Sequence, residues 1–272
     1  ESLQGVTEYT VAFSRARSRV RMLAETFDEP PEQPATAVRA MPGRLRGGIA
    51  LEHVTFAYAD DAPPVIDDVS LSIPAGAKVA LVGPSGSGKS TLGKLLLGLY
   101  QPRSGRILMD GKDLAQLYVQ AVRQQVGTVP QDSFLFSGSI RNNLSLCAPD
   151  ATMDELWEAA DRAAARSLIE RLPMQMETLV SEGGGTFSGG ERQRLALARA
   201  LAAQPAMLLM DEATSALDNV SQAHVETSLA RLACTRITIA HRLSTVMDAA
   251  VIVVLDRGRA AAQGRPDALL AP

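Results

Sequence analysis

The chain has 272 residues, 46% of them apolar and 21% charged, with a formal net charge of −3. That length suits one α/β domain with an appendage, and the slight negative charge argues against non-specific nucleic-acid binding. No apolar run approaches the ~18 residues that cross a bilayer, no secretory signal opens the sequence, and Cys147 and Cys234 lack metal-ligand spacing and are expected as thiols in a reducing compartment.

Residues 1–27 are expected to be helical. Ala12, Ala16, Val20, Leu23 and Phe27 recur at three- and four-residue steps, and Arg15, Arg17, Arg19 and Arg21 crowd the remainder. Such arginines suit either a solvated face or a segment beside anionic headgroups. The sequence opens on Glu1 inside this pattern and reads as a piece of a longer polypeptide. Residues 28–47 hold Pro30, Pro31, Pro34, Pro42 and Gly43, a linker stiffened by proline.

A globular domain is expected over 48–272. Ile49–Tyr58 and Val69–Ile73 read as strands, Lys78–Val82 as a short buried strand and Thr91–Leu99 as the helix after it. Further strands are expected near Ile107–Met109 and at Val126–Val129, Ala206–Asp211, Ile237–Ala240 and Val251–Leu255. Helices are expected over Ser139–Leu144, Met153–Leu172, Gly189–Ala203 and Val220–Leu232. Strands alternating with helices predict an α/β fold, a mostly parallel sheet covered on both faces. Ligands of such sheets lie beyond the carboxyl ends of the strands.

Between the strand at Lys78–Val82 and its helix runs Gly83-Pro84-Ser85-Gly86-Ser87-Gly88-Lys89-Ser90-Thr91. Its glycines permit tight turns that aim backbone N–H groups inward. With the positive end of the following helix, those donors can hold the β- and γ-phosphates of a nucleotide. Lys89 adds a point charge on the same oxygens, and the Ser90 hydroxyl is placed to ligate Mg²⁺. The apolar run Met207–Met210 ends in Asp211 and Glu212. Ionised groups there need partners. Beside a phosphate loop Asp211 has one in Mg²⁺, through water, and Glu212 can orient and polarise a water in line with the γ-phosphate. Ser188-Gly189-Gly190 opens a helix, a second anion-binding N-terminus, and His241 follows a strand directly.

With these motifs in this order, the chain from about Gly48 to its end resembles the nucleotide-binding domain of ATP-binding-cassette transporters. GPSGSGKST resembles the family's Walker A, and Met207–Glu212 its Walker B with the catalytic glutamate. Phe187-Ser188-Gly189-Gly190-Glu191 resembles the signature, and Ser215–Asp218 the D-loop. Gln131 resembles the Q-loop glutamine that touches Mg²⁺, His241 the switch histidine that contacts the γ-phosphate, and Tyr58 the aromatic that stacks on adenine. The resemblance implies a phosphate-loop NTPase-like sheet flanked by helices, an antiparallel β subdomain, and an inserted helical subdomain at about 132–187. It implies catalytic roles for Glu212, His241, Lys89 and Gln131, with ATP and Mg²⁺ as cofactors. Ser90, Gln131 and Asp211 would hold the metal. ATP would lie on Tyr58 and Gly83 to Thr91 of one copy and on Ser188, Gly189, Gly190, Glu191 and Asp218 of another.

Phe134–Asn143 and Thr178–Gly184 resemble exporters, with Ser181 where glycine is usual, and SEGGG before the signature is similar to transporters of bacteriocin-type peptides. In such exporters a transmembrane domain precedes this one on the same chain, so the expected place is the cytoplasmic face of the inner membrane. A second nucleotide-binding domain, in a homodimer more readily than a heterodimer, is the expected partner, and nucleic acid is not. Two residues depart from the pattern: Phe187 stands for the usual Leu, and Glu191 for the usual Gln. Glu191 brings a carboxylate toward the partner's nucleotide, and the repulsion would weaken closure unless Arg192 or Arg194 neutralises it. The alternative is a soluble ATP-driven clamp of DNA repair or chromosome organisation, but those carry long coiled-coil insertions or DNA-binding regions, and no sustained heptad segment or basic patch is evident here.

Overall fold

The computed structural model describes residues 11–22, 24, 32–33, 39–211, 218–240 and 243–269. The chain divides into two compact units at Arg39/Ala40. In the first, residues 11–22 form helix α1, exposed at every position. Leu23 and Phe27 of the expected helix, and Pro30, Pro31 and Pro34 of the expected linker, lie outside the described residues.

The second unit holds two main sheets. β1 (Ile49–Phe56), β2 (Ile66–Ile73), β4 (Ser104–Met109) and β5 (Lys112–Asp113) form an antiparallel sheet in the order β2-β1-β4-β5. Alternation puts Ile49, Leu51, Val54 and Phe56 of β1 inward, as a sheet with one covered face requires. β3 (Lys78–Val82), β6 (Val126–Val129), β9 (Met207–Asp211), β10 (Thr235–Ile239), β11 (Val251–Asp256) and β12 (Arg259–Gly264) form the larger sheet, ordered β12-β11-β3-β10-β9-β6. All its neighbours are parallel except β12, which returns antiparallel on β11 at one edge. β9 is buried from Met207 to Met210, because an interior strand of a two-sided sheet has no solvent face. The α/β architecture expected from the alternation is thus present.

Helices α2 (Lys89–Leu96) and α3 (Val119–Arg123) share a core with both sheets, in which Leu51, Leu81, Leu92, Leu95 and Ile237 meet. A second core lies in the helical lobe, built from α4 (Ile140–Ser145), α5 (Met153–Arg162), α6 (Arg166–Glu170) and α7 (Gly189–Ala202). Leu144, Leu156, Ile169, Leu195 and Leu201 pack there against Leu208 and Met210 of β9. Strands β7 (Gly138–Ser139) and β8 (Leu179–Val180) close this lobe, and α8 (Asn219–Ala230), α9 (Leu243–Met247) and α10 (Pro266–Leu269) complete the order.

Several boundaries differ from expectation. The helix expected over Met153–Leu172 is two, because Ala164 takes φ 54° while Ala163 and Ala165 are fully buried; no local breaker marks the bend. The helix after the phosphate loop starts at Lys89 and ends at Leu96, ahead of the left-handed Gly98 at φ 63°. β2 begins at Ile66 rather than Val69, with Asp68 at φ 52° inside it. The end of the expected linker is bound to the domain: Asp110 accepts from the N–H groups of Arg46 (2.6 Å) and Gly48 (2.7 Å). Gln125 bonds Leu45 N and Gly43 O, and Thr235 Oγ1 donates to Gly47 O at 2.7 Å.

Candidate nucleotide site

The parallel register decides where the site forms. Leu81 of β3 and Asp211 of β9 both pair with Ile239 of β10, and Val129 of β6 pairs with Met210. The four strands therefore end along one edge, which carries Gly83, Asp211 and the exposed Gln131. Glu212 and His241 lie outside the described residues, as do Ser215, Ala216 and Leu217; their neighbours Asp211, Asp218 and Ala240 are described.

The loop Gly83–Gly88 joins β3 to α2. Gly83 sits at φ 148°, and a Cβ there would stand 2.0 Å from the Leu255 carbonyl oxygen. Gly88 caps α2 at φ 101°, and a Cβ would meet Ile66 Cδ1 and the Val65 carbonyl oxygen below 3.0 Å. Only glycine fits either position without strain. No side chain caps α2, so its first N–H groups remain as donors along the loop. Pro84, Ser85 and Gly86 form the exposed crest. The Ser87 hydroxyl is buried and makes no hydrogen bond among the described residues. An orphan donor of this kind is costly, and an oxyanion in the loop would satisfy it. Lys89 is buried, its Nζ donating to the carbonyls of Gly83 (2.9 Å) and Pro84 (2.8 Å). Ser90 Oγ lies 3.4 Å from Asp211 Oδ2, and both line a cavity of about 220 Å³ with Thr128, Pro130 and Ile239. A hydroxyl beside a carboxylate is a hard-oxygen donor set of the kind that suits Mg²⁺.

Tyr58 is half exposed just beyond β1. Its hydroxyl is 3.0 Å from Thr91 Oγ1, and its ring meets Phe56 and Tyr100 edge-on at 5.1 and 5.3 Å. Lys94 Nζ lies 5.8 Å from the ring centroid. Lys94 and Tyr100 flank the Tyr58 ring without belonging to a motif themselves: Lys94 lies one turn past Thr91 on α2, and Tyr100 beyond the end of that helix.

Ser188, Gly189 and Gly190 open α7, which packs on α4, α5 and β6. Ser188 and Glu191 form a reciprocal cap: Glu191 N donates to Ser188 Oγ (3.3 Å) and Ser188 N to Glu191 Oε2 (2.8 Å). The carboxylate expected to repel a partner's nucleotide is turned onto its own helix start. The Ser188 N–H holds its pKa below the usual carboxylate range, with the charges of Arg194 and Arg171 assisting. Arg194 adds only a minor lowering charge beside that of Arg171, while Arg192 Nη1 donates to the Phe187 carbonyl at 2.6 Å. Asp218 caps α8 in the same fashion, accepting from Ser221 N at 2.9 Å, and that bond lowers its pKa too.

Phe134 and Phe136 stand exposed on the helical lobe, 5.2 Å apart. Asn143, at the end of the exporter-like segment, and Arg199, which the sequence did not flag, hold them there. Buried Asn143 bonds both N–H and C=O of Phe136 at 2.8 Å, and Arg199 Nη1 donates to the Phe134 carbonyl at 3.0 Å.

A glycine-rich loop between a parallel strand and a helix, with an aspartate at the same edge at the end of the next strand but one, defines a phosphate-loop nucleotide-binding domain. The chain belongs to the ABC transporter family, whose sequence model matches residues 66–215. It is 41% identical over 267 residues to the ATP-dependent lipid A-core flippase of Chromobacterium violaceum, covering 97% of this chain and 45% of that protein. It is 45% identical over 226 residues to the toxin RTX-III translocation ATP-binding protein of Actinobacillus pleuropneumoniae, covering 82% of this chain and 32% of that one. A solved bacterial Atm1-family ABC exporter with ATP bound matches with a TM-score of 0.85 at 40% identity, over 93% of this chain and 45% of that chain. The chain thus spans less than half the length of these relatives and is an ATP-binding, ATPase domain of the ABC transporter family, similar to those of exporter-type members.

Proposed function

We propose that two copies of this domain clasp two ATP molecules head to tail and that hydrolysis lets them part, driving export through a transmembrane domain on the same parent chain. The observation that carries the reading is the shared strand edge, where Ser90 Oγ and Asp211 Oδ2 lie 3.4 Å apart beside the loop that Lys89 spans. Lys89, the loop N–H groups and the start of α2 bind the β- and γ-phosphates, and Tyr58 stacks on adenine. Ser90, Gln131 and Asp211, the last through water, would hold Mg²⁺, which when bound neutralises charge on the phosphate oxygens. Glu212 orients and polarises the attacking water, and His241 contacts the γ-phosphate. Phosphoryl transfer passes through a loose transition state, so positioning outweighs strong base chemistry.

Ser188, Gly189, Gly190, Glu191 and the Asp218 loop act on the nucleotide of the other copy. Swinging closure from 1:99 to 99:1 takes about 5.5 kcal/mol of preference for the closed form, and charge-assisted bonds from two γ-phosphates suit that scale. The exposed Phe134–Phe136 surface near Gln131 would pass the motion to the membrane domain, with this domain on the cytoplasmic face. Residues 1–27 are then the end of the last membrane-domain helix, 28–47 the tether and 48–272 the motor. The SEGGG run and the likeness to toxin translocators support a peptide cargo; the flippase is as similar, so transport of candidate peptides by the parent in vesicles decides it. The motor reading is tested by giving the purified parent Mg²⁺ and ATP. Binding and turnover are expected, and absence of both overturns it.

A further inference from the structure

We propose that Arg194 is a positioning residue that joins the signature and the Asp218 loop into one rigid body, so that both reach the partner copy's nucleotide together; this rests on the sandwich proposed above. Both segments are N-terminal caps of helices from different parts of the fold. Ser188 caps α7 through its exchange with Glu191, and Asp218 caps α8 through Ser221. Arg194 stands on α7 one turn beyond Glu191, with its side chain only 13% exposed. Its Nη1 donates to Ser221 Oγ at 2.9 Å and lies 3.6 Å from Asp218 Oδ2. The Ser221 hydroxyl accepts from Arg194 and donates to Asp218 Oδ2 at 2.8 Å, so the polarity of the chain Arg194–Ser221–Asp218 is fixed. Behind the Ser188 N–H, the charges of Arg194 and Arg171 also help to lower the pKa of Glu191. Arg194 therefore ties the helix that the signature opens to the cap of α8 through Nη1, while its buried Nε has no hydrogen-bond partner among the described residues. A lysine would supply the charge from a flexible stem rather than from a planar, pre-organised guanidinium. A second tie runs in the same direction, from His224 Nε2 on α8 to the Asp161 carbonyl at 2.8 Å.

If the two caps move as one, closure gains cooperativity from a residue that never touches ATP. The test is sedimentation of the full chain with Mg²⁺ and an ATP analogue that is not hydrolysed, comparing wild type, R194Q, R194K, S221A and R194Q/S221A. R194Q is expected to weaken nucleotide-driven dimerisation roughly tenfold, while the nucleotide affinity of the separate copies and the unfolding midpoint stay near wild type. R194K should restore only part of the loss. S221A should weaken dimerisation as well, and the double variant should lose little more than R194Q, because both changes break one chain. Dimerisation equal to wild type in R194Q, or losses in R194Q and S221A that multiply independently, overturns the proposal. Should R194Q fail to fold, S221A decides, since its backbone N–H still caps through Asp218; unchanged closure in S221A overturns it. A wild type that binds the analogue but never dimerises counts against the sandwich itself rather than against Arg194.

Discussion

Ser90 Oγ, in the first turn of α2, lies 3.4 Å from Asp211 Oδ2 at the end of β9. The parallel pairing of β9, β10 and β3 makes this meeting possible, because residues far apart in sequence leave the sheet at the same level.

Lys89→Ala should weaken ATP binding by roughly ten- to a hundredfold or more, the scale of one charged hydrogen-bonding group lost. Lys89 is buried and already aimed across the loop at the Gly83 and Pro84 carbonyls, so a neighbouring side chain has no room to replace it. Equilibrium titration with a fluorescent ATP analogue measures the loss; wild-type affinity in the variant contradicts the phosphate-loop assignment.

Glu212→Gln should leave ATP binding intact while turnover falls by orders of magnitude, because the amide can hold a water but not polarise it. An ATP-dependent dimer should accumulate, visible in sedimentation. Unchanged turnover removes Glu212 from the chemistry.

Gly88→Ala tests the loop geometry separately from its charges. The new methyl meets Ile66 and the Val65 carbonyl oxygen below 3.0 Å and must adopt φ near 101°, a strain of about 1–3 kcal/mol. A thermal unfolding midpoint lowered by several degrees is expected, together with weaker nucleotide binding. A midpoint equal to wild type would mean that the loop has another conformation.

Acid should loosen both caps. Glu191 and Asp218 have folded pKa values depressed chiefly by the N–H groups of Ser188 and Ser221. A depressed carboxylate contributes stability that is complete above its unfolded pKa and is lost as pH falls through the folded value. Glu191→Gln keeps an acceptor for Ser188 N–H without a charge. Its unfolding midpoint, followed from about pH 7 to about pH 3, should therefore fall less steeply than wild type. Identical curves would place the acid sensitivity elsewhere.

What was legible in the sequence was local. The phosphate loop, the apolar run into Asp211 and the Ser-Gly-Gly helix start each carry their chemistry within a few neighbouring residues; β3 and β9 were marked by apolar runs, and β6 and β10 by β-branched residues. β12 escaped because Arg259–Gly264 is alanine-rich, with no β-branched residue to mark a strand. The bend at Ala164 escaped because tight packing of Ala163 and Ala165, not a glycine or proline, imposes it. The reciprocal cap between Ser188 and Glu191 was also missed, although Ser-x-x-Glu at a helix start is a local capping signature; the Glu191 carboxylate was weighed only against the nucleotide.

The residue types and their spacing thus determined by themselves that this chain binds nucleotide phosphates, because a glycine turn, a lysine and a hydroxyl act within one loop. Which strand lies beside which was decided only by the tertiary structure. β3 is enclosed by β10 and β11, strands from the far end of the chain, because burial of both sheet faces rewards the order that best covers apolar surface, whatever the separation in sequence. That order set Asp211 against Ser90, and the packing of α8 on the helical lobe set Arg194 against Ser221.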